Sequence, residues 1–208
     1  IVSVATLTAT LMLFEGYEKA LKDVILNFNA HVYFFHPGSD DLNADHIKEI
    51  DSFLKTSPVV DSYEPVVMGQ GLVSVKGQLK GINYRTINYD KAKLPILYRE
   101  IIKKGDYRLD SYNDAAIGET LARKLKINIG DTLFILSTSS KSFTDSQMQQ
   151  NPIIVKAFFS TGMYDYDTKT VFLNKKLAQD IFGKKNRYSL IEVKLKTKYI
   201  EDARNIAV

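Results

Sequence analysis

The chain opens on an uncharged run, IVSVATLTATLMLF, and passes without a breaker into EGYEKALKDVILNF. In the second stretch Tyr17, Leu21, Val24 and Ile25 recur at helical spacing, while Lys19, Lys22 and Asp23 take other faces. The rhythm then shortens. HVYFF predicts a buried strand ended by HPGSDD. Asn43 is placed to cap a helix running through Leu54, with Ile47, Ile50, Phe53 and Leu54 on one face. SPVVDSYEPVVMGQGLVSVKGQLKGINY predicts a pair of long strands, with Gly69 and Gly71 at a bend or bulge between them.

The middle of the chain is less regular. A short helix is expected over 95–103, ending near Gly105. In AAIGETLARKLKINIGDTLFILS, Leu121, Ala122 and Leu125 form the apolar stripe of a helix, and Gly130–Asp131 turns the chain into a strand over 132–136. A polar run, STSSKSFTDSQMQQNP (137–152), separates that strand from IIVKAFF (153–159). TGMYDYD then leads to the strand TKTVFLN, the helix KKLAQDIFG, the strand YSLIEVKLK and a last helix in KYIEDARNIAV. Helices and strands alternate with few long loops, which predicts an α+β fold with mixed sheets.

Composition narrows the options. A chain of 208 residues, 45% hydrophobic and 25% charged, suits one large domain or two joined subdomains with a sizeable core. The absence of cysteine excludes disulfides, Cys-ligated zinc and a thiol nucleophile. The net charge of +4 is spread over isolated lysine pairs such as Lys103–Lys104, Lys175–Lys176 and Lys184–Lys185, so no nucleic-acid partner is expected. The uncharged start would span about 21 Å as a helix, short of a roughly 30 Å hydrocarbon core. It reads either as a buried amphipathic helix or as the outer half of a membrane span. With no basic n-region before it, it fits a signal peptide poorly. YIEDARNIAV, at the other end, has helical spacing and no cap. Two interrupted helices are what a domain between two membrane spans would show.

Catalytic chemistry has little to stand on. His31 and His36 flank one strand at odd spacing and would face opposite sides. A zinc site from His36, Asp40 and Asp45 or His46 matches no ligand-spacing motif. Asp165 and Asp167 resemble the opening of a calcium loop, but Thr168-Lys169-Thr170 supplies neither the third acid nor the glycine, and no closing Glu follows. No G-x-S-x-G elbow and no phosphate loop is present. The chain is expected to be no enzyme and to hold no cofactor and no metal. TGMYDYD stays open among metal site, sugar platform, strand corner and family signature.

Several segments, in order, resemble one family. FEGYEKAL after an apolar run, AHVYFF, VKGQLKGINY, IGETLARKLKINIGDTLFIL, IIVKAFFSTGMYDYDTKTVFLNKKLAQDIFG and IEVKLKTKYIEDARNI together resemble the periplasmic domains of lipoprotein-releasing (Lol-type) ABC transporter permeases, within the MacB-like periplasmic core domain superfamily. The likeness covers nearly the whole chain. Asn83-Tyr84 stands where the family has Asp-Pro, and Thr144-Asp145 where a proline is expected at a hairpin tip.

The resemblance implies a two-part α+β domain. One part is a βαβ-type subdomain from 15–90 and 175–208. The other, 91–174, is an inserted, mostly β subdomain with a protruding hairpin at 137–152, and 1–14 is the outer end of the first span. It implies release of lipoproteins from the inner membrane of a Gram-negative bacterium, on its periplasmic face. The implied partners are a soluble periplasmic lipoprotein carrier, a second permease subunit, a cytoplasmic ABC ATPase that hydrolyses the ATP, the lipoprotein substrate and the membrane itself through flanking helices. Carrier docking would fall to Lys141, Phe143, Thr144, Asp145, Met148, Gln149 and Gln150, with Gln147 also on the rim, whereas the residues alone equally allow a plain surface loop. Met163, Tyr164 and Tyr166 would rim the lipoprotein path. The alternatives are a related MacB-like permease for efflux or cell-wall hydrolase regulation, a ligand-sensing module, or a hydrolase.

Overall fold

In the computed structural model the described residues are 2–38, 41–87, 101–106, 108–138, 148–181, 183, 185–200 and 203, with the backbone alone for 23–25, 27, 28, 137, 138, 148 and 149. The chain divides into two compact units, Ile1–Ala30 and His31–Val208. The first holds a single helix, α1 (Val2–Phe28), so the uncharged start and the amphipathic stretch after it are one element. The hydroxyls of Thr6, Thr8 and Thr10 donate to the carbonyls four residues earlier, at 3.0, 2.9 and 2.9 Å, which hides these polar groups against the helix backbone. Val2, Val4, Leu7, Leu11, Met12, Leu13 and Phe14 are exposed on it. Among the described residues no helix is long and apolar enough to cross a membrane.

The second unit is built on two sheets. β1 (Val32–Phe34), β10 (Leu190–Leu195) and β2 (Val60–Val66) form an antiparallel sheet in that order. Its one face packs on α2 (Ala44–Thr56), where Val32, Leu42, Leu54, Ile191, Val193 and Leu195 make a small core joined by Ile47 and Ile50. Asn43 caps α2 as expected, its side chain accepting from the amides of Asp45 (3.0 Å) and His46 (2.9 Å). Of the residues expected on the packed face, Leu54 is buried but Phe53 is 62% exposed.

The larger sheet contains β3 (Met68–Val75), β4 (Gln78–Thr86), β5 (Ile102–Gly105), β6 (Asp114–Gly118), β7 (Thr132–Thr138), β8 (Met148–Phe159) and β9 (Thr170–Leu173), in the order β5-β8-β6-β9-β4-β3-β7. β7 also pairs with β8, so the sheet closes on itself as a barrel. The inward residues Val73, Val75, Ile82, Tyr84, Ile117, Leu133, Ile135, Ile153, Val155 and Val171 fill it. The helix α3 (Glu119–Leu125) and the helix over 175–181 add Leu121, Ala122, Leu177, Ala178 and Ile181 to the same core. Each fully buried Val, Leu or Ile among them contributes on the order of 1.5–3 kcal/mol.

Several expectations change here. The stretch read as two long strands is three: β2 ends at Val66, and the chain crosses between sheets at Val67. Gly69 and Gly71 lie inside β3, and the tight turn is Lys76–Gly77, both with positive φ (48° and 81°) as a two-residue hairpin turn requires. The stretch 102–105, expected to end a helix, is a strand, while 95–100 lies outside the described residues. Residues 68–86 and 175–181, grouped by sequence with the terminal part, belong to the barrel and its core. The three-stranded sheet is thus assembled from the stretches either side of an inserted barrel. Of the expected closing helix, 197–199 is a single short turn and 201, 202 and 204–208 lie outside the described residues.

Candidate functional site

Two regions carry the residues expected to act. The first is the β7–β8 hairpin. Its ladder runs from Thr132↔Ile154 to Thr138↔Met148, into both ends of the run 137–152 expected to form a protruding hairpin. Ser137, Thr138 and 148–152 are therefore paired backbone. Lys141, Phe143, Thr144, Asp145 and Gln147 lie outside the described residues, and Met148 and Gln149 are set in β8 by their backbone. Gln150 is exposed and opposite Leu136. On the outer face beside the hairpin, Leu72, Leu79, Phe134 and Ile154 are 36–55% exposed. Sequence alternation in β3 and β7 carries this face, with one side of each strand buried and the other not.

The second region is the TGMYDYD stretch. It is a short helix, α4 (Tyr164–Lys169), entered from β8 through Gly162 at φ +82°. Its anchor is Asp167, which is buried at 3% exposure. The carboxylate accepts from the Thr161 amide (2.9 Å), the Thr161 hydroxyl (2.8 Å) and the Ser160 hydroxyl (2.9 Å). Gly118 makes room for this turn, since a Cβ there would stand 2.0 Å from the Asp167 carbonyl oxygen. Asp165 is exposed. These two acids are therefore an anchor and a surface group, not the start of a cation loop.

The aromatic residues divide in the same way. Tyr164 is 61% exposed, with the Lys124 ammonium 4.8 Å from its ring centre. Tyr166 turns inward onto Phe159 and Phe172, with ring centres 6.3 and 6.4 Å away. Its hydroxyl meets the Arg85 guanidinium, and burial raises its pKa against that cation. Met163 is half-buried. Of the three expected rim residues, Tyr164 is exposed, Met163 and Tyr166 are half-buried, and Tyr166 also packs on Phe159 and Phe172.

Sequence reasoning missed what lies beneath Tyr166. Arg85 of β4 and Glu192 of β10 form an ion pair, 7% and 9% exposed, between the two sheets. Burial raises the Glu192 pKa against the pull of Arg85, and burial followed by Arg85 lowers that of Lys194. Alternation in LIEVKL was the one available signal, because it turns Glu192 and Lys194 to the face opposite Ile191 and Val193.

The structure brings His36 and His46 of the candidate zinc set together and leaves His31 elsewhere. His31 Nδ1 accepts from the Leu195 amide at 3.0 Å, and the rings of His36 and His46 stack with centres 4.7 Å apart. Asp40 lies outside the described residues. Among the described residues no group of three or more His, Asp or Glu is gathered as a metal would need.

A two-part domain with a barrel inserted between the strands of a smaller α/β sheet is the class that these features define. The chain belongs to the MacB-like periplasmic core domain family, whose model matches residues 1–204. No curated protein matches it. Among solved structures, it is similar to the extracellular domain of the noncanonic ABC-type transporter YknZ from Gram-positive bacteria. The match covers 83% of this chain and 86% of that one at 14% identity and a TM-score of 0.53. It is also similar to the periplasmic region of MacB from Actinobacillus actinomycetemcomitans, covering 82% and 78% at 13% identity and a TM-score of 0.55. At these identities the likeness is one of fold, which is the α+β architecture expected from sequence.

Proposed function

We propose that this chain is the periplasmic domain of a lipoprotein-releasing ABC transporter permease in a Gram-negative inner membrane. In this reading α1 continues into a membrane span. A second permease subunit, identical or homologous, completes the transporter, and a separate cytoplasmic ATPase supplies the energy, so this domain does no covalent chemistry. It receives a lipoprotein and passes it to a soluble periplasmic carrier. Family membership supports the transporter part. The observation that carries the docking part is the β7–β8 ladder, which holds register out to Thr138↔Met148. A paired ribbon of that length offers residues 139–147 from a fixed base, and a preorganised element loses less entropy on binding than a free loop. Phe143 and Met148 are the apolar anchors of that run, and Lys141, Gln147, Gln149 and Gln150 its polar rim.

The domain, mixed with the soluble carrier from the same organism, should bind, and Phe143→Ala and Met148→Ala should each weaken binding at least tenfold, about 1.4 kcal/mol. Failure of the intact domain to bind, or unchanged affinity in both variants, removes the docking role. The family match also favours a second reading, a MacB-like permease for efflux or for control of a cell-wall hydrolase. Binding of a periplasmic adaptor in place of a carrier would select it.

A further inference from the structure

The chain enters and leaves the barrel at adjacent points. It passes from β2 to β3 through the single residue Val67, and returns from the barrel to β10 through Ser189. The two crossings are stitched together: the Ser189 amide donates to the Val66 carbonyl at 2.8 Å, the Met68 amide donates to the Ser189 hydroxyl at 3.1 Å, and that hydroxyl donates to the Met68 carbonyl at 2.9 Å. Two short neighbouring crossings define one axis, and small backbone changes along it would rotate the barrel against the three-stranded sheet.

Beside this axis stands the Arg85–Glu192 pair. Arg85 lies opposite Met68 in the β3–β4 register, and Glu192 follows Ser189 by three positions. Tyr166 reaches the same guanidinium from α4, and Tyr188 packs against the cores of both bodies. A buried pair of this kind contributes little stability relative to apolar side chains of similar size, because desolvation offsets the attraction. What it does impose is direction, since the guanidinium and carboxylate bond well in few orientations.

We propose that Val67 and Ser189 form a hinge between the three-stranded sheet and the barrel, and that the Arg85–Glu192 pair, steadied by Tyr166, is the latch that sets its angle. Tyr166 makes α4 part of the latch. A load on the exposed side of α4, where Tyr164 stands, reaches the ion pair through one side chain. The device is a property of the domain alone and does not depend on what the domain carries, so it stands or falls separately from carrier docking.

The native chain has no cysteine, which allows clean pairwise labelling. Spin labels at Lys48→Cys on α2 and Lys80→Cys on β4 read the angle between the bodies, and labels at Lys80→Cys and Arg123→Cys read the barrel by itself. With the native latch both distance distributions should be narrow. In Arg85→Met/Glu192→Leu, and to a smaller extent in Tyr166→Phe, the first distribution should shift or broaden beyond its native width while the second stays as it was. If the double variant does not fold, Tyr166→Phe, which loses one hydroxyl, carries the test. An unchanged first distribution in the folded variants overturns the latch, and so does a change of equal size in both distributions, which would mean that the pair merely holds the barrel together.

Discussion

Asp165 and Asp167 are chemically identical and two positions apart, yet their surroundings give them opposite roles. Removing Asp167 leaves the Thr161 amide and two hydroxyls facing an empty buried space, and unsatisfied buried donors are costly. Asp167→Ala should therefore lower unfolding free energy by about 3 kcal/mol in urea titrations, the scale of a lost charge-assisted bond network. Asp165→Ala should stay within about 0.5 kcal/mol of the native chain, as exposed sites do. Tyr84 illustrates the same dependence on surroundings. Its ring lies across Gly69, where a Cβ would come within 2.6 Å of the hydroxyl. Burial, and then the charge of Asp41, pushes its pKa up to about 12. Burial, with Asp51 bonded to its hydroxyl, does the same for Tyr63, again to about 12. The unfolded phenols ionise near 10, before the folded ones, so stability is intact below pH 10 and falls as pH rises from 10 to 12. Denaturation midpoints measured across that window should decline, and the decline should flatten in Tyr63→Phe/Tyr84→Phe.

Elements with a strong period and a recognisable boundary were readable from the chain, and α2 is the clearest. Asn43 accepts from two otherwise orphaned amides, and Asn43→Ala should cost about 1 kcal/mol, measurable by the same urea titration. The α4 helix was not readable for physical reasons. Its span, Tyr164–Lys169, is too short for a helical period to repeat, and its buried anchor is an aspartate, which hydrophobic patterning does not count as core. The extension of β7 and β8 was hidden for a related reason. Ser137, Thr138 and Met148–Asn151 are mostly polar, and their pairing follows from the register set by Leu133↔Ile153 deeper in the barrel. The site divides along the same line. The hairpin's position was legible from the polar interruption between two apolar strands, whereas the Arg85–Glu192 pair joins residues 107 positions apart and leaves no local mark.

The subdomain boundary is a property of the whole molecule, and it follows from which strands close the barrel. β4 pairs in parallel with β9, and β7 with both β3 and β8, so residues 67–187 contain every partner that these strands need. The three-stranded sheet has the opposite construction, because its middle strand β10 comes from the far end of the chain. The barrel also has its own core, distinct from the one under α2. A segment with its own core and its own strand partners should fold alone. Residues 67–187 expressed by themselves should keep dispersed amide resonances and a cooperative unfolding transition. Arg85 would keep Tyr166 and turn to water at the surface that Glu192 leaves, where a solvated cation costs little, so the missing Glu192 is no obstacle. Residues 31–66, by contrast, should remain unfolded when expressed alone, since without β10 they hold two edge strands and no centre. A molten or aggregated 67–187 fragment would show instead that the barrel depends on the smaller sheet packed against it, and the boundary at Val67 would then mark a bend in one core rather than a joint between two.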